Sequence, residues 1–243
     1  MITTDNSNTY QYISEAFYKR NKPTAVYLDN RTDKNYKWRY IIESNDENAH
    51  TIEVIYNDNI VDMSSMFRKC SSIVSLDLSN LKTENVTSMK HMFSRCTSLE
   101  SLNLGNFDTS MVTDMNYMFF GCENLKSLDS SMFNTSSVKE AFNMFTGCTS
   151  LKSLNLSNFE TPKLEVMDGM FWASFELESL DISKFNTEKV ENSVWTFSDC
   201  NKLTYINLMD YHGADIFDFG NYNYSNLTVC IGDCEQINNG DNS

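Results

Sequence analysis

Seven cysteines and three histidines hold most of the chemistry that this chain of 243 residues can offer. Five of the cysteines, Cys70, Cys96, Cys122, Cys148 and Cys200, fall on a step of 26 residues, with Ser174 in the one gap. A thiol can serve as nucleophile, metal ligand or half of a disulfide, and each role needs a partner at short range. A regular series that also admits serine points instead to a small core residue, so five buried, reduced thiols in one column are expected. Cys230 and Cys234 flank "IGD" and can form a bridge or supply two metal ligands. Apart from His212 no second pair of Cys or His lies near them in sequence, so no zinc site is expected. The total of seven cysteines without a secretion signal favours free thiols. His50, expected in a turn, His91 and His212 meet no Ser, Cys or Asp constellation, and the few glycines form no phosphate loop. Neither an enzyme nor a cofactor is expected.

Two further sets of residues are candidates for binding. Asp77, Asn103, Asp129, Asn155, Asp181 and Asn207 alternate acid and amide at the repeat spacing, beside a column of Ser75, Ser101, Ser127, Ser153 and Ser179 ending in Tyr205. Alternation keeps like charges about two strand spacings apart and puts amide donors between them. Such a face is either a self-satisfied polar ladder or a groove for a glycan or calcium. The second set is aromatic. Tyr117, Phe120, Phe142, Trp172 and Trp195 stand where other copies carry Ser, Thr, Asn or Gly. Exposed on adjacent repeats, they would form a contact surface for a protein.

The elements that must position these residues follow from the same step. Six copies open on Ile60, Val86, Val112, Val138, Leu164 and Val190. Each runs through a phenylalanine, from Phe67 to Phe197, and then the cysteine column. In "VTSMKHMFSRC" the apolar residues fall at i, i+3, i+6, i+7 and i+10, the stripe of a short helix or of linked helical turns. In "LESLNL" the alternation is that of a strand buried on one face. Thr83, Thr109, Thr135, Thr161 and Thr187 precede the helical half by three residues, as N-caps would. One such unit cannot bury its stripe alone, whereas stacked copies form one core. The expectation is an α/β solenoid with a parallel sheet of six strands between residues 76 and 208 and short helical segments on the other face.

The string MF-x-x-C-x-x-L-x-x-L-x-L-S-x-F-x-T-x-x-V-x-x-M resembles the BspA-like leucine-rich repeats of bacterial surface proteins, in particular the 26-residue repeat of mycoplasma-type surface lipoproteins. The resemblance covers about Ile60 to Tyr211, and it implies a right-handed leucine-rich-repeat-like coil used for adhesion or protein binding without catalysis. Ser130, Ser174, Ser193 and Thr196 depart from the pattern, and the lipoprotein signal cysteine of such relatives is absent.

Three regions result: an N-terminal segment and β cap at 1–59, the repeats at 60–213 and a C-terminal cap and tail at 214–243. "RYIIES" and "TIEVIY" read as two strands around "NDENAH", and Tyr10, Tyr12, Ile13, Phe17 and Tyr18 as residues that dock on the first repeat. A net charge of −14 opposes binding to nucleic acid, and no run of 18 apolar residues supports membrane insertion. The functional expectation is a recognition or adhesion module of a cell or virion surface that binds protein or glycan. The alternative is a structural or decoration component of a larger particle, docked through the N-terminal segment.

Overall fold

The computed structural model describes residues 2–4, 9–28, 31–32, 41–43, 51–56, 59–208 and 226–230. Within the repeats, alternating leucines produce short strands: β7 (Ile73–Asp77), β8 (Ser101–Asn103), β9 (Ser153–Asn155), β10 (Ser179–Asp181) and β11 (Tyr205–Asn207). Neighbours pair in parallel one repeat apart, Leu76 opposite Leu102 and Leu154 opposite Leu180. A further strand, β12 (Thr228–Cys230), continues the order parallel to β11. The chain is therefore a parallel β-solenoid, and each 26-residue unit is one rung.

The sheet is not continuous. No strand forms at 127–129, so β7 and β8 belong to one sheet and β9 to β12 to another. The cause is local. Leu78, Leu156 and Ile182 donate their backbone N–H to the carbonyls of Asn103, Asp181 and Asn207 on the next rung. Ser130 stands at the equivalent position and donates through its hydroxyl to the carbonyl of Asn155. The expected six strands are therefore five, with the fault where serine replaces leucine.

The expected helical segments are absent. The only helix among the described residues is α1 (Glu15–Arg20), outside the repeats. In the first rung the N–H groups of Met63, Ser65, Phe67 and Lys69 donate outward to the carbonyls of Ser88, Lys90, Met92 and Ser94 at 2.8 to 3.0 Å. Those of Met66, Arg68 and Cys70 donate back three residues, to Met63, Ser65 and Phe67. A helix would direct every N–H four residues back along its own axis, and here alternate donors tie rung to rung. The geometry requires left-handed backbone at two positions per rung. Ser65, His91, Tyr117, Asn143, Gly169 and Trp195 form the first such column, and Lys69, Arg95, Gly121, Gly147, Ala173 and Asp199 the second. Linked tight turns reproduce the helical stripe, which is why periodicity points to a helix. The threonines are not helix caps either: Thr109 Oγ1 accepts from Asn134 N at 2.8 Å and donates to Asn134 O at 2.9 Å, clipping one rung to the next.

The core is a set of columns. Phe67, Phe93, Phe119, Phe145, Phe171 and Phe197 stack with centroids 5.2 to 5.8 Å apart and planes within 13°. Phe107, Phe133, Phe159 and Phe185 form a second column at 5.8 to 6.4 Å. The five column cysteines are buried and free. Each thiol from Cys96 onward donates to a phenylalanine carbonyl of the preceding rung, as in Cys122 Sγ to Phe93 O at 3.2 Å, and Ser174 Oγ does the same to Phe145 O at 3.0 Å. The column therefore asks for a small donor, which both residue types supply.

The N-terminal cap differs from the expected hairpin. β1 (Ile2–Thr4) lies antiparallel to β7 and covers the first rung's edge, with β6 (Thr51–Ile55) on its other side. β3 (Ala25–Leu28) joins β6, and β4 (Arg31–Thr32) joins β3. β5 (Ile41–Glu43), from the other half of the expected hairpin, pairs instead with β2 (Thr9–Gln11). The cap is docked as expected, since Tyr12, Ile13, Phe17 and Tyr18 are buried in the same core as Met66 and Phe67. Ser14 caps α1, accepting from Phe17 N at 3.2 Å, while its own N–H donates to Met66 O at 2.8 Å.

Candidate functional site

On the strand face, five of the six residues of the alternating column close a turn. Asp77, Asn103, Asp129, Asn155 and Asp181 accept from the backbone N–H two residues on, at 2.9 to 3.1 Å. Asn103 donates across to Asp77, and Asn207 to Asp181, both at 3.1 Å. Hydrogen bonds from Ser79 and Ser131 hold the Asp77 and Asp129 carboxyls below the usual carboxylate range. These oxygens thus have partners within the fold. Among the described residues no group of three or more His, Cys, Asp or Glu is placed to hold a metal.

The turn face carries the aromatic candidates, and the structure divides them. Tyr117 meets Phe120 at 5.6 Å and Phe142 at 5.1 Å, both edge to face, and stacks on His91 at 4.5 Å. Arg95 covers the Phe120 ring at 5.7 Å. All three aromatics are half-buried, closed on one another across rungs two to four. Trp172 and Trp195 form a separate pair at 5.8 Å with planes tilted by 36°. They stand 37% and 56% exposed, and Trp172 Nε1 donates to Asp199 at 3.0 Å. Phe175 and Val194, exposed by 41% and 52%, extend this second group. Neither is among the sequence candidates, although tabulating the columns would find them: Phe175 replaces Ser71, Thr97 and Thr149, and Val194 replaces Ser64 and Lys90.

His91 lies in the packed cluster against Tyr117. Its Nδ1 is buried without a hydrogen-bond partner, and burial, reinforced by Arg68, Lys90 and Arg95, lowers its pKa to about 4. His50, His212 and Cys234 lie outside the described residues. Cys230 is buried and disulfide-bonded, which corrects the expectation that all the cysteines are free thiols. Under the cap a cavity of about 640 Å³ lies among Ile13, Tyr56, Ile60, Phe67 and Leu81. It sits where Leu81 replaces the phenylalanine of the second column.

No helix among the described residues is long and apolar enough to cross a membrane. The fold and surface thus define a class: a repeat solenoid whose interior columns keep nearly the same residue at each step and whose turn face changes from rung to rung. The sequence matches the family described as "Mycoplasma protein of unknown function, DUF285" over residues 38–153 and again over 120–222. The two matches together cover the repeats and most of the chain, which belongs to that family. No curated protein and no solved structure matches it.

Proposed function

We propose that the chain is a non-enzymatic recognition module displayed on a cell or virion surface, and that it binds a protein partner through Trp172, Trp195, Phe175 and Val194. One observation supports this reading above others: four large apolar side chains stand exposed on two neighbouring rungs, while equivalent aromatics elsewhere on the same face are packed away. Desolvating such side chains favours association, and tryptophans are the residues most often found to dominate an interface. The right-handed leucine-rich coil of the BspA-like group belongs to the proposal, supported by the repeat string rather than by any solved relative. Burial of Tyr12, Ile13, Phe17 and Tyr18 against the first rung favours the recognition reading over docking into a particle through those residues.

The test is capture of partners from host-cell surface extracts, followed by titration of the recovered protein with the parent chain and with Trp172→Ser/Trp195→Asn. Loss of at least tenfold in affinity with an unchanged melting temperature supports the proposal. Equal affinity of the two chains would reject this surface.

A further inference from the structure

In a chain of net charge −14, four cations gather on the turn face of the first two rungs. Arg68 and Lys69 are 21 to 27 residues from Lys90 and Arg95 in sequence, and the stack brings the two pairs together. Lys69 N donates to Ser94 O at 2.8 Å, next to Arg95, and Ser65 N donates to Lys90 O at 2.8 Å. Arg68, Lys90 and Arg95 all lie close enough to His91 to oppose its protonation. Arg20 extends the group from α1, its guanidinium donating to Ser64 O at 2.7 Å. Two carboxylates answer this charge, Asp62 at 3.9 Å from Arg20 and Asp114 at 3.5 Å from Lys90. Arg68, Lys69 and Arg95 are exposed and have no carboxylate partner among the described residues.

The scaffold does not ask for these charges. Where Lys69 and Arg95 stand, later rungs carry Gly121, Gly147, Ala173 and Asp199. Like charges held within a Debye length of one another repel, and an anion bound among them relieves that repulsion. The surroundings narrow the choice of anion. Ser71, Thr97 and Ser98 follow the cations in the sequence of the same two rungs, with Ser71 exposed and Thr97 and Ser98 half-buried. Beyond the cluster the protein is acidic, so a densely charged polyphosphate is repelled along the rest of its length. A chain with sparse anionic groups between neutral, hydroxyl-bearing stretches fits both features.

We propose that Arg68, Lys69, Lys90 and Arg95 form a binding site for an anionic polysaccharide, pairing its sulfate or carboxylate groups while the adjacent hydroxyl-bearing side chains meet the sugar. The site is separate from the tryptophan surface and does not depend on it.

The experiment titrates the full chain with a sulfated hexasaccharide, with its desulfated and carboxyl-reduced counterpart, and with a glutamate hexapeptide. The sulfated sugar should bind at low ionic strength and weaken as salt is added, and the neutral counterpart should not bind. Arg68→Ser/Arg95→Asn should reduce affinity at least tenfold, Lys69→Asn should act in the same direction, and Trp172→Ser/Trp195→Asn should bind like the parent. Asparagine is chosen because Lys69 and Arg95 have left-handed backbone, at φ 63° and 61°, which it tolerates. If the double variant fails to fold, Lys69→Asn alone decides. Equal binding of the neutral sugar, unchanged binding by the cation variants, or tighter binding of the peptide would each overturn the proposal.

Discussion

Tyr117 and Trp195 occupy the same column of the turn face, with the same left-handed backbone at φ 58°, yet their environments are opposite. Tyr117 touches His91, Phe120 and Phe142, whereas Trp195 meets Trp172 and stands 56% exposed. The difference lies in the neighbours. Rungs two to four place rings in adjacent columns, so they close on one another. Where His91 stands one rung before Tyr117, Gly169 stands one rung before Trp195, and Trp195 keeps 56% of its surface exposed. An aromatic side chain on a solenoid surface is thus packed or left exposed according to the residues beside it, not according to its own type.

The largest effect should come from exchanging each of these residues for asparagine, the residue that rung four itself carries as Asn143. Asparagine tolerates the left-handed conformation, so the backbone contribution is small and the ring contacts are what is measured. Tyr117→Asn should destabilise the fold by about 2 kcal/mol through lost burial and ring contacts. Trp195→Asn should stay within about 0.5 kcal/mol, as exposed substitutions do. Denaturant unfolding of both variants checks this, and equal losses would erase the distinction between the two regions.

A smaller effect sharpens the same contrast through pH. His91 lies in the packed cluster with its pKa lowered to about 4, against an ordinary value near 6.5. A base with a depressed folded pKa contributes its full stability above the unfolded value. Between pH 6.5 and about 4 the unfolded chain takes up the proton first, and that contribution is lost as pH falls. His91→Asn should therefore flatten the stability profile over this window, while Trp195→Asn should not. An NMR titration placing the His91 pKa near the ordinary 6.5 in the folded protein would contradict the expectation.

The interior was legible in the sequence because stacking puts the same position of every rung in one buried column, which admits few residue types. The phenylalanine and cysteine columns and the docking of Tyr12, Ile13 and Phe17 all follow from that restriction. Three features were hidden. The turn side mimics helical periodicity because tight turns also bring every third or fourth residue inward, and only the inter-rung direction of donors such as Ser65 N separates the two. The break at 127–129 coincides with Ser130, whose hydroxyl reaches a carbonyl of the kind that backbone N–H groups reach on other rungs. The basic cluster escaped because linear reading seeks runs, and Arg68, Lys69, Lys90 and Arg95 are neighbours only once rungs stack. For the candidate site, the sequence grouped Tyr117, Phe120, Phe142, Trp172 and Trp195 and did not separate the three half-buried rings from the two exposed tryptophans, since exposure depends on neighbours in adjacent rungs.

The smallest predicted effect concerns what lies beneath both aromatic groups. The Cys/Ser column runs unbroken from rung to rung, and its hydrogen bonds are alike under the packed and the exposed regions: Cys122 to Phe93 O at 3.2 Å, Cys200 to Phe171 O at 3.1 Å. Ser174 donates to Phe145 O at 3.0 Å between them. If a small donor is all the column requires, Ser174→Cys should change stability by less than about 1 kcal/mol, because the hydrogen bond is kept and one buried atom is exchanged for a slightly larger one. Cys122→Ser should behave alike, although it lies under the other region. The introduced thiol should also resist reagents in the native protein, since burial pushes its neighbours Cys148 and Cys200 up to about 12 and leaves almost no thiolate at neutral pH. Rapid labelling of that introduced thiol in the folded Ser174→Cys variant, or a loss of several kcal/mol from either exchange, would mean that the column is tuned to each rung and that the two regions differ below the surface as well as on it.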